Sequence, residues 1–321
     1  MNTVLNRFGQ LKLTTILLTI LVGSPLIAAL APTGEKAEFD QSTRFIPPED
    51  LNLYDWGGYE ASDRSLETVA IDRSGNLYEG TDEDAALIRE TFSREFKGKY
   101  PTYPLPPSVQ GTDERVQIKT TTLFPYRAIG RLDIGCTGTL IGPRHVLTAG
   151  HCIYNIRSDK WYKNLDFSPA QSDSETKPWG SFKWTKALTV KGYTEEHNRT
   201  FDYALLILDR NIGNDLGWVG FGFDNGLKEK HTIQINGYPG DKPRGTLWHS
   251  DCNIHTSEEF WLRYVCDTAG GMSGSGVYIE NNQKHTRIIY AVHTYGGPST
   301  NSGTRITEKK FLQLRKWKAE N

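Results

Sequence analysis

Three segments of the chain carry side chains suited to nucleophilic or acid–base chemistry. TAGHC (148–152) sets His151 between a glycine and a cysteine, and FDYALLIL (201–208) opens a strongly apolar run with Asp202. CDTAGGMSGSGVY (266–278) holds Ser273 and Ser275 among glycines. A serine hydroxyl becomes a useful nucleophile only when a base takes its proton, and a histidine base needs a carboxylate to fix its tautomer. All three residue types are present, in the chain order His, Asp, Ser. The serine segment has no apolar period that a helix or strand could bury, so it reads as a tight turn that displays side chains.

The elements that must position these residues are strands. After Gly111, short runs rich in β-branched and aromatic residues recur between Gly, Pro, Asn and Asp turns, among them TGTLI, HVLTA, YALLIL, TIQINGY and RIIYAVHTY. Helix is expected only at the end, where Thr307 caps EKKFLQLRKWKAE with Phe311, Leu314 and Trp317 along one face. Many short strands without interleaved helices favour barrels or sandwiches over a parallel α/β sheet.

The first third of the chain has another texture. Arg7 and Lys12 precede an apolar run broken by Gly23, Ser24 and Pro25 and closing on Ala29-Leu30-Ala31. A positive start, an apolar middle and an A-x-A end predict a secretory signal peptide over 1–31. Residues 32–110 then hold 16 acidic and 8 basic residues, whereas 111–321 hold 22 acidic and 27 basic. The acidic stretch has no cysteine, one short amphipathic pattern (82–96) and a Pro-rich exit, KGKYPTYPLPPS. It reads as a prosegment and linker over 32–108, a partner whose negative balance suits it to cover the basic region. Net charge near zero over the whole chain favours neither nucleic acid nor an anionic membrane as partner. With secretion, the four cysteines lie in an oxidising compartment and should pair.

TAGHC, FDYALL and GGMSGSGVY resemble the three catalytic motifs of chymotrypsin-fold serine proteases. GTDERVQIKTTTLFPYRA, CTGTLIGPRHVLTAGHCIY and AVHTYGGPSTNSGTRIT are similar to the glutamyl endopeptidase branch in particular, over most of 111–307. The resemblance implies an all-β fold of two six-stranded antiparallel barrels, over 109–222 and 223–321, the second followed by the terminal helix. It assigns His151, Asp202 and Ser273 as a triad, with Gly271 and Ser273 giving the oxyanion N–H groups. Ser275 is then a packed small residue. The resemblance and sequence proximity also favour Cys136–Cys152 and Cys252–Cys266 among the three possible pairings. Protein or peptide substrates would pair as an extra strand along Thr294-Tyr295-Gly296.

Two features depart from that family. The position just before the nucleophile, an Asp in chymotrypsin-like zymogens, is Met272, so the prosegment must act by another route. The usual Pro after S-G-S is Gly276. For specificity the sequence offers two opposed clues. Asp267 stands where trypsin-like enzymes select Lys or Arg; Thr268 and His293 stand where glutamyl endopeptidases hold a substrate carboxylate. The resemblance to the latter favours cleavage after Glu, less after Asp. A pseudoprotease binding module is the reading from another class, disfavoured by the intact triad. An α/β-hydrolase is excluded because neither serine sits in G-x-S-x-G and no Asp follows Asp267. No HExxH or ligand-spaced Cys/His pair suggests a metal, and no cofactor is expected. Asn198-Arg199-Thr200 is a glycosylation sequon. The mature enzyme is expected to start near Ser108 or Val109 and to act as a secreted monomer.

Overall fold

The computed structural model describes residues 30–40, 63–80, 108–281 and 286–321. The signal segment up to residue 29 and the amphipathic pattern at 82–96 lie outside the described residues. The fold is chymotrypsin-like and built from β-strands, with one long helix, Glu308–Glu320, at the C-terminus. Thr307 caps that helix by accepting the Lys310 N–H. Among the described residues no helix is long and apolar enough to cross a membrane.

The first barrel runs through Trp184–Val190, Ala204–Leu208, His145–Thr148, Thr137–Leu140, Ile129–Leu132 and Phe167–Pro169, each hydrogen-bonded to the next. A single bridge between Phe167 and Phe182 completes the ring. The second barrel is a full cycle of six: Thr232–Gly237, Trp248–Ser257, Trp261–Tyr264, Asn301–Arg305, Thr286–Tyr295 and Gly276–Asn281. Short runs such as ALLIL and TIQING form these strands because β-branched and aliphatic side chains pack well on a pleated surface. Ala204–Leu208 is buried throughout, which is why its sequence is continuously apolar.

Packing crosses the boundary that chain order suggests. Val116–Gln117, at the start of the first barrel's sequence, pair with Trp248 and His249 of the second. The C-terminal helix, at the end of the second, sinks Leu314 and Trp317 into the first barrel's core, with Trp317 stacked on Tyr203 at 5.6 Å.

Residues before 108 extend the first barrel. Thr68–Asp72 pairs antiparallel with Trp184–Val190, Asn76–Glu79 pairs with Thr68–Asp72, and Ala31–Lys36 lies outside Asn76–Glu79. Val69, Ala70 and Ile71 join the barrel's core. Around them Lys191, itself buried, meets Glu67 at 3.0 Å and Glu79 at 2.8 Å. The Thr68 hydroxyl accepts from Gln313 and Trp317 of the helix, at 2.7 and 3.0 Å. The short apolar run TVAID thus finds its core against a strand more than a hundred residues away.

Candidate active site

His151 lies in the single turn Gly150–Cys152 that follows the strand His145–Thr148, and Asp202 just precedes Ala204–Leu208. Those two strands pair, Ala204 opposite Thr148, so the two residues emerge at the same end of the barrel. His151 Nδ1 lies 2.6 Å from Asp202 Oδ2, and the His151 backbone N–H donates to Oδ1 at 2.9 Å. Gly150 lets this happen: a Cβ there would stand 2.9 Å from the Tyr193 ring and 3.1 Å from Asp202 Oδ1. Both residues are buried, Asp202 completely.

Ser273 is fastened to the same place from the other barrel. Its carbonyl accepts the Thr137 N–H at 2.8 Å and lies 3.7 Å from Cys152 Sγ. Cys136 and Cys152 are joined, and so are Cys252 and Cys266. The first bridge therefore links the residue before Thr137 to the residue after His151. Gly274 has φ +88, and a Cβ there would meet Thr137 O and Thr148 Oγ1, both at 2.2 Å, so the seam between the barrels closes only on glycine. Gly276, where the family usually has Pro, opens a strand, and a Cβ there would press on Ile289 at 2.8 Å.

Gly271 has φ +100, with the Tyr238 carbonyl 2.5 Å from where a Cβ would stand. Its carbonyl accepts from Thr137 Oγ1 at 2.9 Å, which fixes the orientation of the turn. Among the described residues the N–H groups of Gly271 and Ser273 find no acceptor. Met272 is fully buried.

Asp267 does not present its carboxylate freely. Oδ1 accepts the Gln110 N–H at 2.7 Å and Oδ2 the Glu114 N–H at 2.8 Å, so the residue ties down the chain that leads into the first barrel. Beside it, the Ser108 carbonyl accepts from Thr268 N–H at 3.0 Å and from Asn301 Nδ2 at 2.6 Å. Asn301 also donates to Cys266 O. Gly296 completes this corner, with Ser108 Oγ 2.1 Å from where its Cβ would be. Residue 108 is thus wedged between the segment after Cys266 and the loop after Tyr295.

Thr268 is fully buried, and its hydroxyl has no partner among the described residues. His293 is also buried, with Nδ1 2.7 Å from the Tyr264 hydroxyl. Burial pushes its pKa down to about 3, reinforced by His151 and opposed by the Ser302 carbonyl, so the ring is neutral at ordinary pH. A carboxylate brought against it would reverse that balance. Thr294 Oγ1 turns to Ser302 O and Thr304 Oγ1. Asn198 is buried as the cap of the turn Arg199–Phe201, its Oδ1 accepting from the Thr200 N–H and hydroxyl. Its amide nitrogen is buried too.

Tyr295, read from the sequence only as part of the substrate-pairing run Thr294-Tyr295-Gly296, also reaches Asp202. Its hydroxyl donates to Asp202 Oδ2 at 2.5 Å. In sequence it is one more aromatic in a strand, and its partner lies 93 positions away, so nothing local reveals the contact. Among the described residues one group gathers three atoms of metal-binding type, Cys136, His151 and Cys152. Both sulfurs there are committed to their own bridge, so the set does not fit a metal.

The chain is similar to known proteases. The chain is 40% identical over 220 residues to the protein named glutamyl endopeptidase of Bacillus licheniformis, covering 66% of this chain and 69% of that one. It is 35% identical over 270 residues to a Bacillus subtilis protein named extracellular metalloprotease, covering 81% and 85%. A solved Glu endopeptidase in complex with MPD superposes with a TM-score of 0.61 at 30% identity, over 66% of this chain and 99% of that one. The family model described as Trypsin matches residues 115–317, and the chain belongs to that family of serine proteases.

Proposed function

We propose that the chain is a secreted endopeptidase, made with a signal peptide and prosegment, that cleaves proteins after Glu and less readily after Asp. The observation that carries the reading is the convergence of His151, Asp202 and the Ser273 turn at the seam of the two barrels. In that arrangement Ser273 Oγ attacks the scissile carbonyl while His151 Nε2 takes its proton. Asp202 holds the ring in the required tautomer and stabilises the imidazolium. The N–H groups of Gly271 and Ser273 point to the developing oxyanion, which is usually the largest single contribution to rate. His151 then gives its proton to the leaving amine, and water, deprotonated by the same base, releases the acyl group from Ser273.

Specificity follows from what the pocket side offers. Both Asp267 oxygens are occupied by backbone N–H groups, which removes the anchor a Lys or Arg side chain would need. His293 and the Thr268 hydroxyl are buried polar groups suited to a carboxylate, and the glutamyl endopeptidase relative supports the same choice. A Glu side chain entering the pocket would pull His293 toward protonation, turning a neutral contact into a charge-assisted one. Cleavage near Ser108 or Val109 would leave the new chain start anchored against Thr268 and Asn301.

The test is a cleavage profile on peptides that differ only in Glu, Asp, Gln or Lys before the scissile bond. The wild type is expected to prefer Glu. Ser273→Ala should lose on the order of 10⁶ in turnover and all fluorophosphonate labelling. His293→Ala should lose far more on Glu than on Gln. Faster cleavage of the Lys peptide would refute the specificity, and an active Ser273→Ala chain would refute the mechanism.

A further inference from the structure

A triad carboxylate must be held so that one oxygen stays on the imidazole. Asp202 is fixed by His151 twice, backbone N–H to Oδ1 and ring to Oδ2. Tyr295 supplies a third contact from the other barrel, at the end of the strand Thr286–Tyr295, where its phenol donates to Oδ2, the oxygen that faces the imidazole. The Tyr295 ring is itself well fixed. It lies 5.8 Å from the His151 ring and 5.7 Å from Trp261, and the Arg199 guanidinium sits 4.9 Å from its centroid. The neighbouring Thr294 hydroxyl turns the other way, toward the strand Asn301–Arg305.

We infer that Tyr295 is a positioning residue for the reaction: its hydroxyl locks Asp202 and, through it, the orientation of the His151 ring. The inference rests on reading His151, Asp202 and Ser273 as the triad. A carboxylate oxygen held from two sides cannot swing away from His151 Nδ1, so the imidazole keeps the tautomer and the aim that the reaction needs.

The other groups that face this cluster come from four elements. Arg199 lies on the turn Arg199–Phe201, Tyr193 on the short helix Lys191–Thr194, and His293 on the strand that carries Tyr295. Lys310, on the C-terminal helix, lies behind Asp202, where burial among Phe201, Tyr203 and Phe260 lowers its pKa to about 7. All four remain when only the hydroxyl of Tyr295 is removed. A difference between wild type and variant therefore reports the hydroxyl alone.

Tyr295→Phe is the variant of choice because it keeps the ring, the backbone along Thr294-Tyr295-Gly296, and the contacts to His151, Trp261 and Arg199. On a Glu peptide, kcat should fall roughly tenfold with KM nearly unchanged, the size expected when one charged hydrogen bond is lost from the reacting assembly. A purely structural role would lower the melting temperature and raise KM with kcat nearly unchanged, and that result overturns the inference. So does a variant equal to wild type in kcat. Ser273→Ala, run alongside, separates the two ideas. If it stays active, the triad reading falls and takes this inference with it; if it is dead while Tyr295→Phe behaves as wild type, only the role of Tyr295 falls.

Discussion

The two barrels differ in how they close. The second is a ring in which every strand is paired on both sides, whereas the first is completed by one bridge, Phe167 to Phe182. The outer side of Trp184–Val190 would otherwise be an edge, and Thr68–Asp72 occupies it. A closed ring has no edge to protect; an open one leaves N–H and C=O groups and apolar side chains that something must cover. The interiors differ accordingly. The first barrel's core takes in Val69–Ile71 from upstream and Leu314 and Trp317 from the C-terminal helix. The second has a smaller apolar cluster and buries Asp267, Thr268, Ser275, His293 and Asn301. A barrel without edges can give interior volume to a polar pocket, while the barrel that holds His151 and Asp202 relies on apolar mass from both ends of the chain.

The largest expected effect breaks this contrast at the shared edge. Ile71 is fully buried, and Ile71→Asp would place an unpaired carboxylate there, at a cost of several kcal/mol. The folded-to-unfolded ratio of the full chain should drop at least about tenfold, since about 1.4 kcal/mol already gives that factor, and the urea midpoint should fall with it. Activity per titrated active site should stay at the wild-type level, because Ile71 touches nothing in the reaction. An undiminished urea midpoint would mean that the first barrel does not need the upstream strand for its stability.

A smaller effect sharpens it. The two disulfides span 16 and 14 residues, and on chain-entropy grounds each stabilises by about 3 kcal/mol. Their surroundings are not alike: Cys136 and Cys152 are wholly buried in the first core, whereas Cys252 is only half-buried. Paired Ser replacements at 136 and 152 strand two hydroxyls in apolar surroundings, about 1–3 kcal/mol beyond the loop entropy. The urea midpoint should therefore fall further for that pair than for Ser at 252 and 266. Equal midpoints would show that packing around the first bridge adds nothing.

The candidate site residues could be picked out because they stand in short motifs that resemble those of a known family; the contacts that require glycine there, Gly150 against Asp202 and Gly274 against Thr148, join residues far apart in sequence. The strand texture after Gly111 was legible because period and β-branching are properties of the strand itself. What could not be read depends on distant partners. TVAID is too short to announce a core of its own, and its core belongs to Trp184–Val190. The helix after Thr307 showed its apolar face but not which barrel would receive it. Asp267 reads like a specificity residue because a carboxylate at that position says nothing of which N–H groups it will accept. Tyr295 was hidden for a related reason: a strand aromatic is ordinarily packing, and only the folded chain brings its hydroxyl to Asp202.

The smallest effect tests the assignment between the two serines. Ser275 is fully buried two residues beyond Ser273, and its hydroxyl has no partner among the described residues. Its backbone is what the fold uses: the N–H donates to Met272 O at 3.0 Å, and the carbonyl accepts from His293 at 2.8 Å. The side chain is closely packed, with Ser275 Oγ 2.4 Å from where a Cβ on Gly237 would lie, so the serine fits there because 237 is glycine. Ser275→Ala removes an unpaired buried hydroxyl, a gain, and leaves a gap of one oxygen, a loss, so stability should stay within about 1 kcal/mol. In the first barrel the Thr148 hydroxyl is equally buried but donates to Thr137 O at 2.8 Å, and Thr148→Val should cost about 1 kcal/mol where Ser275→Ala costs little. Melting temperatures of the two variants check that difference, and kcat/KM of Ser275→Ala should lie within about twofold of wild type. A Ser275→Ala enzyme that melts like wild type yet has lost its activity would move the nucleophile from Ser273 to Ser275.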